Sequence, residues 1–344
     1  MNPRIMIVGE AWGEEESFQG KPFVGASGRL LDGMLAQVGI NRKDCYVTNV
    51  FNLQPQPKND VENLCGPRED AIPGYPALKS GKYVRSRYTP ELARLYVEIQ
   101  EFNPTLILAL GASAAWALLG TSGIKKIRGA PAVLAGKALG AVGRQIKVLP
   151  TYHPAAVMRE WSLRSVVIAD LNKAKREAEF PELRRPKREI WIEPSIDDML
   201  RFEREHIAPS DSLSIDIETS GRQITCIGFA PRTDIALVVP FVDATKRDGN
   251  YWPDLATELA AWRLVCKWCG SHKRIVGQNF LYDMNFLWTE YGIPVPYAED
   301  DTMLLHHALQ PEMEKGLGFL ATIYTEELPW KFMRKKHETI KNED

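Results

Sequence analysis

The chain has 344 residues, room for two domains of ordinary size. With 43 basic and 44 acidic residues its formal net charge is -1, so no global positive field draws in a polyanion and any nucleic-acid contact must come from a local stripe. No apolar run approaches the ~18–20 residues that span a bilayer, which predicts no membrane association. The chain enters a strand at once, leaving no room for a signal peptide. Five cysteines, an odd number, do not suggest a disulfide framework, so a reducing cytoplasm is the expected location.

Residues 1–178 alternate short apolar strands with helical segments. The strands are Ile5-Met6-Ile7-Val8, Cys45-Tyr46-Val47-Thr48, Leu106 to Leu110 and Ile146 to Leu149. Helical patterning covers Gly28 to Val38, Pro90 to Phe102 and Ala112 to Leu119. Near-continuous apolar strands suit parallel pairing with both faces covered, so the pattern predicts a three-layer α/β/α sandwich around a four-stranded parallel sheet. Polar motifs follow each strand: Glu10, Asn49, Gly111 and His153. Ligands of open α/β sheets bind beyond the carboxyl ends of the strands, which would gather these residues on one rim. Strand ends are also turns, and turns are polar for that reason alone.

Residues 179–189 read as a linker, rich in Arg, Lys, Glu and Pro. Residues 190–344 begin with a helix (Ile196 to His206) and three strands joined by short turns (Leu213 to Glu218, Ile224 to Ala230, Ile235 to Phe241). A helix (Leu255 to Trp268), a strand (Arg274 to Val276) and a helix (Tyr282 to Tyr291) follow. The short turns predict an antiparallel meander.

The residues of the first rim suit chemistry on a flipped nucleobase. Glu10 can orient a water and offset positive charge on a sugar. Phe23 offers a stacking face worth about 1–3 kcal/mol. Asn49 presents a donor beside an acceptor, the complement of a uracil edge. His153 can donate to an oxygen on which charge develops. Gly25 and Gly28 would let backbone approach a phosphate, next to the start of a helix. Each has a plainer reading as a turn, core or capping residue. The stretch Pro55 to Pro90 interleaves Lys79, Lys82, Arg85 and Arg87 with Tyr83 and Tyr88, a pattern that fits single-stranded DNA and equally a solvated insertion.

Taken together, Gly9-Glu-Ala-Trp-Gly-Glu-Glu-Glu16, Gly20-Lys-Pro-Phe-Val-Gly-Ala-Ser-Gly-Arg-Leu-Leu31, Thr48-Asn-Val, Leu110-Gly-Ala and Pro150-Thr-Tyr-His-Pro154 resemble the uracil-DNA glycosylase superfamily, most nearly its family 4. The resemblance spans about residues 1–175. It implies excision of uracil from DNA, with Glu10 as the water-positioning acid, Glu16 as a candidate second acid, Phe23 and Asn49 as base contacts, His153 as the donor to the leaving group and Arg159 at the DNA. Trp12 stands where the family usually has proline. The family's iron–sulfur cluster needs four thiolates; Leu53 lies near one cysteine position and only Cys65 matches, so no cluster is expected.

In the second half, Asp216 and Glu218 alternate on one strand and so share a face. Two-metal phosphodiester hydrolysis needs such oxygens around cations about 3.5–4 Å apart. Asn279 and Asp283 lie a helical turn apart in Gly277-Gln-Asn-Phe-Leu-Tyr-Asp283. Leu213-Ser-Ile-Asp-Ile-Glu-Thr219, Gln278 to Asp283 and Asp301-Thr-Met-Leu304 resemble the 3′→5′ proofreading exonuclease domain of family A DNA polymerases, within the DEDD superfamily. The resemblance implies a ribonuclease-H-like mixed sheet, Mg²⁺ or Mn²⁺ held by Asp216, Glu218 and Asp283, and a substrate groove with Asn279 and Tyr282. The third motif, a Tyr and an Asp four residues apart, does not follow Asp301, and a His-based variant fails because Asn342 stands five after His337. The exonuclease is therefore expected to be incomplete. The order of the two halves resembles that of some phage polymerases, which implies DNA and a polymerase domain or chain as partners. The alternative is a degenerate DNA-binding or tethering module. Cys266-Lys-Trp-Cys269 has no second Cys/His pair to make a zinc site, and His306-His307 reads as structural.

Overall fold

The computed structural model describes residues 4–271 and 273–327. His337 and Asn342, the positions compared with the third exonuclease motif, lie outside the described residues. The described residues form two compact units, one of residues 4–184 with 318–327, the other of residues 185–317.

In the first unit, β1 (Ile5–Ala11), β2 (Tyr46–Phe51), β5 (Leu106–Leu110) and β7 (Lys147–Thr151) pair in parallel in the order β2-β1-β5-β7. A two-residue strand, β6 (Ala132–Val133), adds an antiparallel fifth member at the β7 edge. The four parallel strands are those the apolar runs predicted. The edge pair has no periodicity of its own and was not legible. Another two-residue pair, β3 (Cys65–Gly66) with β4 (Tyr83–Val84), folds the insertion between β2 and α3 (Thr89–Phe102).

Alternation along β1 explains the layers. Ile5 and Ile7 pack with α2 (Ala26–Val38) and α7 (Leu163–Glu177) on one face of the sheet. Met6 and Val8 pack with α3, α4 (Ala112–Leu119) and α5 (Gly136–Val142) on the other. Connections leave β1 and β5 toward opposite faces, so a crevice opens at their carboxyl ends, the switch point of a doubly wound sheet. Two shorter helices flank it, α1 (Glu14–Gln19) and α6 (Pro154–Arg159).

The helix α12 (Leu317–Tyr324) belongs, except for its first residue, to this unit rather than to residues 190–317. A buried polar network holds it. Asp170 on α7 accepts from Arg128 Nε at 3.0 Å and Nη2 at 2.5 Å, and from the Thr151 hydroxyl at 2.6 Å. Arg128 Nη1 donates to Thr322 Oγ1 at 2.8 Å, and Lys173 Nζ donates to the carbonyls of Gly129, Thr322 and Thr325 at 2.6, 2.8 and 2.6 Å. Asp170 thus pairs with Arg128, while Lys173 is held by the partial negative charges of carbonyl oxygens, two of them at the end of α12.

The second unit is a six-stranded mixed sheet. Its meander is β9 (Ser212–Ser220), β10 (Gln223–Arg232) and β11 (Ile235–Pro240). β12 (Arg274–Gly277) pairs in parallel with β9, β13 (Ala298–Asp301) with β12, and β8 (Glu189–Trp191) with β11. The order β13-β12-β9-β10-β11-β8 is ribonuclease-H-like, with one additional edge strand. The helices are α8 (Ile196–Phe202), α9 (Leu255–Cys269), α10 (Leu281–Tyr291) and α11 (Thr302–Leu309). β8 and β13 were not anticipated: one lies where the linker ends, the other is Ala-Glu-Asp-Asp, an acidic run with no strand propensity.

Candidate active site

A cavity of about 690 Å³ opens at the switch point of the first sheet. Glu10, Phe23, Asn49, His153 and Arg159 all line it, joined by Trp12, Asp60 and Lys79. The register explains why. Gly9 on β1 pairs with Asn49 on β2, which sets that amide beside the last turn of β1. A Cβ on Gly9 would stand 2.3 Å from Asn49 Oδ1 and 2.4 Å from Phe23 Cζ, so the first strand must present a bare backbone for the two side chains to meet.

Glu10 sits where β1 leaves the sheet. Its Oε2 accepts from the buried Ser113 hydroxyl at 2.5 Å, across the switch point from the first turn of α4. Burial raises its pKa above the usual carboxylate value, and the Ser113 bond and the Lys79 charge oppose the rise.

Asn49 is 1% exposed, and its Nδ2 has no hydrogen-bond partner. A buried donor left unpaired costs about 1–3 kcal/mol. Its backbone is held firmly: Arg94 of α3 donates from Nη2 to the carbonyls of Asn49 and Val50 at 2.8 and 3.0 Å. The Trp12 indole Nε1 is likewise buried in the lining without a partner.

Phe23 is buried and stacks on the His153 ring with centroids 5.6 Å apart and planes 30° from parallel. Its φ of 54° is a left-handed conformation, strained for an aromatic residue by about 1–3 kcal/mol. Arg42 secures it, donating to the carbonyls of Pro22 and Phe23 at 2.9 Å each. Gly28 completes the fit, since a Cβ there would fall 2.0 Å from the Phe23 carbonyl oxygen.

His153 caps α6, its Nδ1 accepting from the Ala155 amide at 3.2 Å. That bond leaves the proton of the neutral ring on Nε2. Burial, reinforced by the Arg159 charge, pushes its pKa down to about 4. At neutral pH the ring is therefore an uncharged donor.

Three expected residues are used otherwise. Glu16 is buried, and both its oxygens are committed: Oε1 accepts from the amides of Val24 and Gly25 at 3.0 and 2.8 Å, and Oε2 from Gly13 at 3.1 Å. It braces the loop that carries Phe23, a different task from that of a second acid. Gly25 has given its amide to Glu16, and Gly28 has given its space to Phe23, so the phosphate approach expected of these glycines is taken up by the chain's own packing. The two lysines of the basic stretch have acidic partners. Lys79 pairs with Asp60 at 2.7 Å, Lys82 with Glu62 at 2.8 Å, and Arg87 lies over the Tyr88 ring. Arg159 remains exposed at the mouth.

Arg42, Arg94 and Ser113 were missed. The arginines look like ordinary surface residues of a turn and an amphipathic helix, and nothing local marks them. Ser113 had a faint signal, as the single polar side chain in Ala-Ser-Ala-Ala-Trp-Ala-Leu-Leu.

The second unit presents its carboxylates differently. Asp216 and Glu218 are exposed on one face of β9, as alternation predicted. Asp283 is buried on α10, its Oδ1 accepting from the Ile217 amide at 2.9 Å. Burial, with Asp216 close by, pushes its pKa up to about 6. Asp301 spends Oδ1 on the Asn279 and Met303 amides and Oδ2 on that of Phe280. Tyr282 pairs its hydroxyl with Thr219 at 2.8 Å, and the exposed Asn279 occupies a left-handed turn with φ 54°. Among the described residues no group of three or more His, Cys, Asp or Glu side chains could hold a metal ion. Asp216, Glu218 and Asp283, the residues expected to hold Mg²⁺ or Mn²⁺, lie on β9 and α10, with Asp216 close to Asp283. Of the two positions compared with the family's cluster cysteines, Leu53 and Cys65, one carries a thiol. Cys65 is a buried thiol bonded to the Val61 carbonyl at 3.6 Å, raised to about 11 by burial, and Leu53 packs into the apolar core. Cys266 is exposed while Cys269 is buried. No helix among the described residues is long and apolar enough to cross a membrane.

The first unit is thus a doubly wound α/β domain whose switch-point cavity gathers an acid, an amide, an aromatic face and a neutral imidazole. The chain belongs to the uracil DNA glycosylase superfamily, whose sequence profile matches residues 1–181. It is similar to the type-4 uracil-DNA glycosylase of Thermotoga maritima, 36% identical over 180 residues that cover 51% of this chain and 78% of the relative. It is also similar to that of Archaeoglobus fulgidus, 32% identical over 174 residues, covering 49% and 74%. Similar solved structures include the EXD2 exonuclease domain soaked in Mg and dGMP, with a TM-score of 0.27 and 16% identity over 45% of this chain and 78% of that one.

Proposed function

We propose that the first unit hydrolyses the N-glycosidic bond of deoxyuridine in DNA. The observation that carries this reading is the unpaired, buried Nδ2 of Asn49, in a cavity shared with Glu10, Phe23 and His153. A base flipped into the cavity stacks on Phe23. The Asn49 Nδ2 donates to its O4 while Oδ1 accepts from N3–H, an edge that uracil supplies and cytosine does not. As the C1′–N1 bond breaks, negative charge spreads onto the uracil O2, and the neutral His153 donates from Nε2 to it. The free oxygen of Glu10 accepts a hydrogen of the water whose oxygen bonds to C1′, and its charge stabilises the cationic sugar. The products are free uracil and an abasic site. Glu16 acts as a positioning residue through the Phe23 loop, and Arg159 contacts the DNA backbone.

For the second unit we propose DNA binding without hydrolysis, the tethering alternative confined to one half of the chain. The commitment of Asp301 to three backbone amides and of Asp283 to the Ile217 amide favours it. A glycosylase joined to an exonuclease-like unit fits DNA repair or replication in the cytoplasm, beside a polymerase domain or chain. The test is cleavage of a uracil-containing oligonucleotide by the full chain. Abasic product from the wild type and none from Glu10→Gln is expected; a wild type that yields no abasic product would overturn the reading.

A further inference from the structure

We propose that Ser113 is a positioning residue for the reaction, holding Glu10 by one oxygen so that the other faces the water. This inference rests on Glu10 being the water-orienting acid.

The geometry is specific. Ser113 is 1% exposed on α4, and its hydroxyl donates to Glu10 Oε2 at 2.5 Å, within the range of a charge-assisted O–H···O⁻ bond. The two residues lie 103 positions apart and belong to the two elements that meet at the switch point. A serine at the N-cap of a helix ordinarily accepts from that helix's own amides. Here the residue capping α4 is Gly111, which has no side chain to offer, and the Ser113 hydroxyl reaches across to β1 instead. Gly111 and Ala112 line the cavity, whereas Ser113 stands behind the acid. It acts through Glu10 and does not touch the substrate.

The bond has two consequences. It removes one of the two carboxylate oxygens from competition, so a single oxygen is presented to the cavity with a fixed orientation. It also opposes the rise that burial imposes on the Glu10 pKa, because a hydroxyl donor stabilises the charged form. Without it, an acid so desolvated holds its proton to higher pH and loses the charge needed to orient water.

The experiment uses the full chain and a uracil-containing oligonucleotide under single-turnover conditions across a pH series. Ser113→Val removes the hydroxyl and Ser113→Thr keeps it in nearly the same volume, with Ser113→Ala as a smaller second loss variant. Val and Ala are expected to move the acid limb of the rate profile upward by about one pH unit, a tenfold loss below the limb. DNA affinity should change by less than about twofold, and Thr should restore the wild-type limb. Purely structural damage would lower the rate at all pH values alike. Isotope-edited NMR titration of the Glu10 carboxyl reads the same bond without turnover, so it decides the matter even if the wild type excises nothing and the base-excision reading falls. An unchanged limb and an unchanged Glu10 titration in both Val and Ala variants would overturn the proposal.

Discussion

Both units carry acids on their sheets or on the helices beside them, yet they differ in what those acids have been given. In the first, Glu10 has a serine donor behind it and a cavity in front, and an unpaired amide waits beside it. In the second, Asp283 lies buried against the Ile217 amide near Asp216, and Asp301 is spent on three backbone amides. A motif supplies side chains; a site also requires that some of their hydrogen-bonding capacity be left unspent and aimed at one space.

The largest effect that sharpens this contrast is at Glu10. Glu10→Gln should lower uracil excision on the order of a thousandfold in single-turnover assays, with DNA affinity little changed. Under the same conditions, Mg²⁺ or Mn²⁺ should release no nucleotides from a 3′ end, and steady metal-dependent release would erase the contrast. Asn49→Ala should reduce excision about a hundredfold and abolish competition by free uracil, which equilibrium binding can follow. A variant that still binds uracil would break the reading of its unpaired nitrogen.

Arg128→Met probes the frame rather than the site. It leaves Asp170 buried without its two guanidinium bonds, at a cost of about 3–5 kcal/mol. Calorimetry should show the first unit melting earlier while the second keeps its transition. The smallest effect concerns pH. Because the His153 pKa is depressed to about 4, the ring stays neutral from there upward. The rate profile should have no inflection near 6.5, and its acid limb should report Glu10, displaced above the ordinary carboxylate value by burial. A limb near 6.5 that disappears in His153→Gln would show the ring titrating.

Much of this could be read from the chain. The apolar runs of β1, β5 and β7 became parallel strands because continuous burial leaves a continuous apolar pattern, while β2 starts half-buried and carries Thr48 and Asn49. The strand-end residues Glu10, Asn49 and His153 reached one cavity because parallel strands deliver their carboxyl ends to one rim. The short edge strands β6 and β8 were invisible, since two or three residues pairing at an edge carry no periodic signal. The basic stretch after Pro55 left two readings open for a related reason. Its lysines look available in sequence, whereas in space Asp60 and Glu62 are set against them.

The sequence by itself determined the inventory of this protein: which strands form, which side chains stand at their ends, and so which family of chemistry is within reach. Only the tertiary structure decided how each group is spent. Glu16 and Gly25 consume each other's hydrogen bonds, Gly28 yields its volume to Phe23, and Ser113 attaches to Glu10. The physical reason is that a strand pattern is written locally, every second or fourth residue, while hydrogen bonds such as that between Ser113 and Glu10 join positions 103 apart that only folding brings within 2.5 Å.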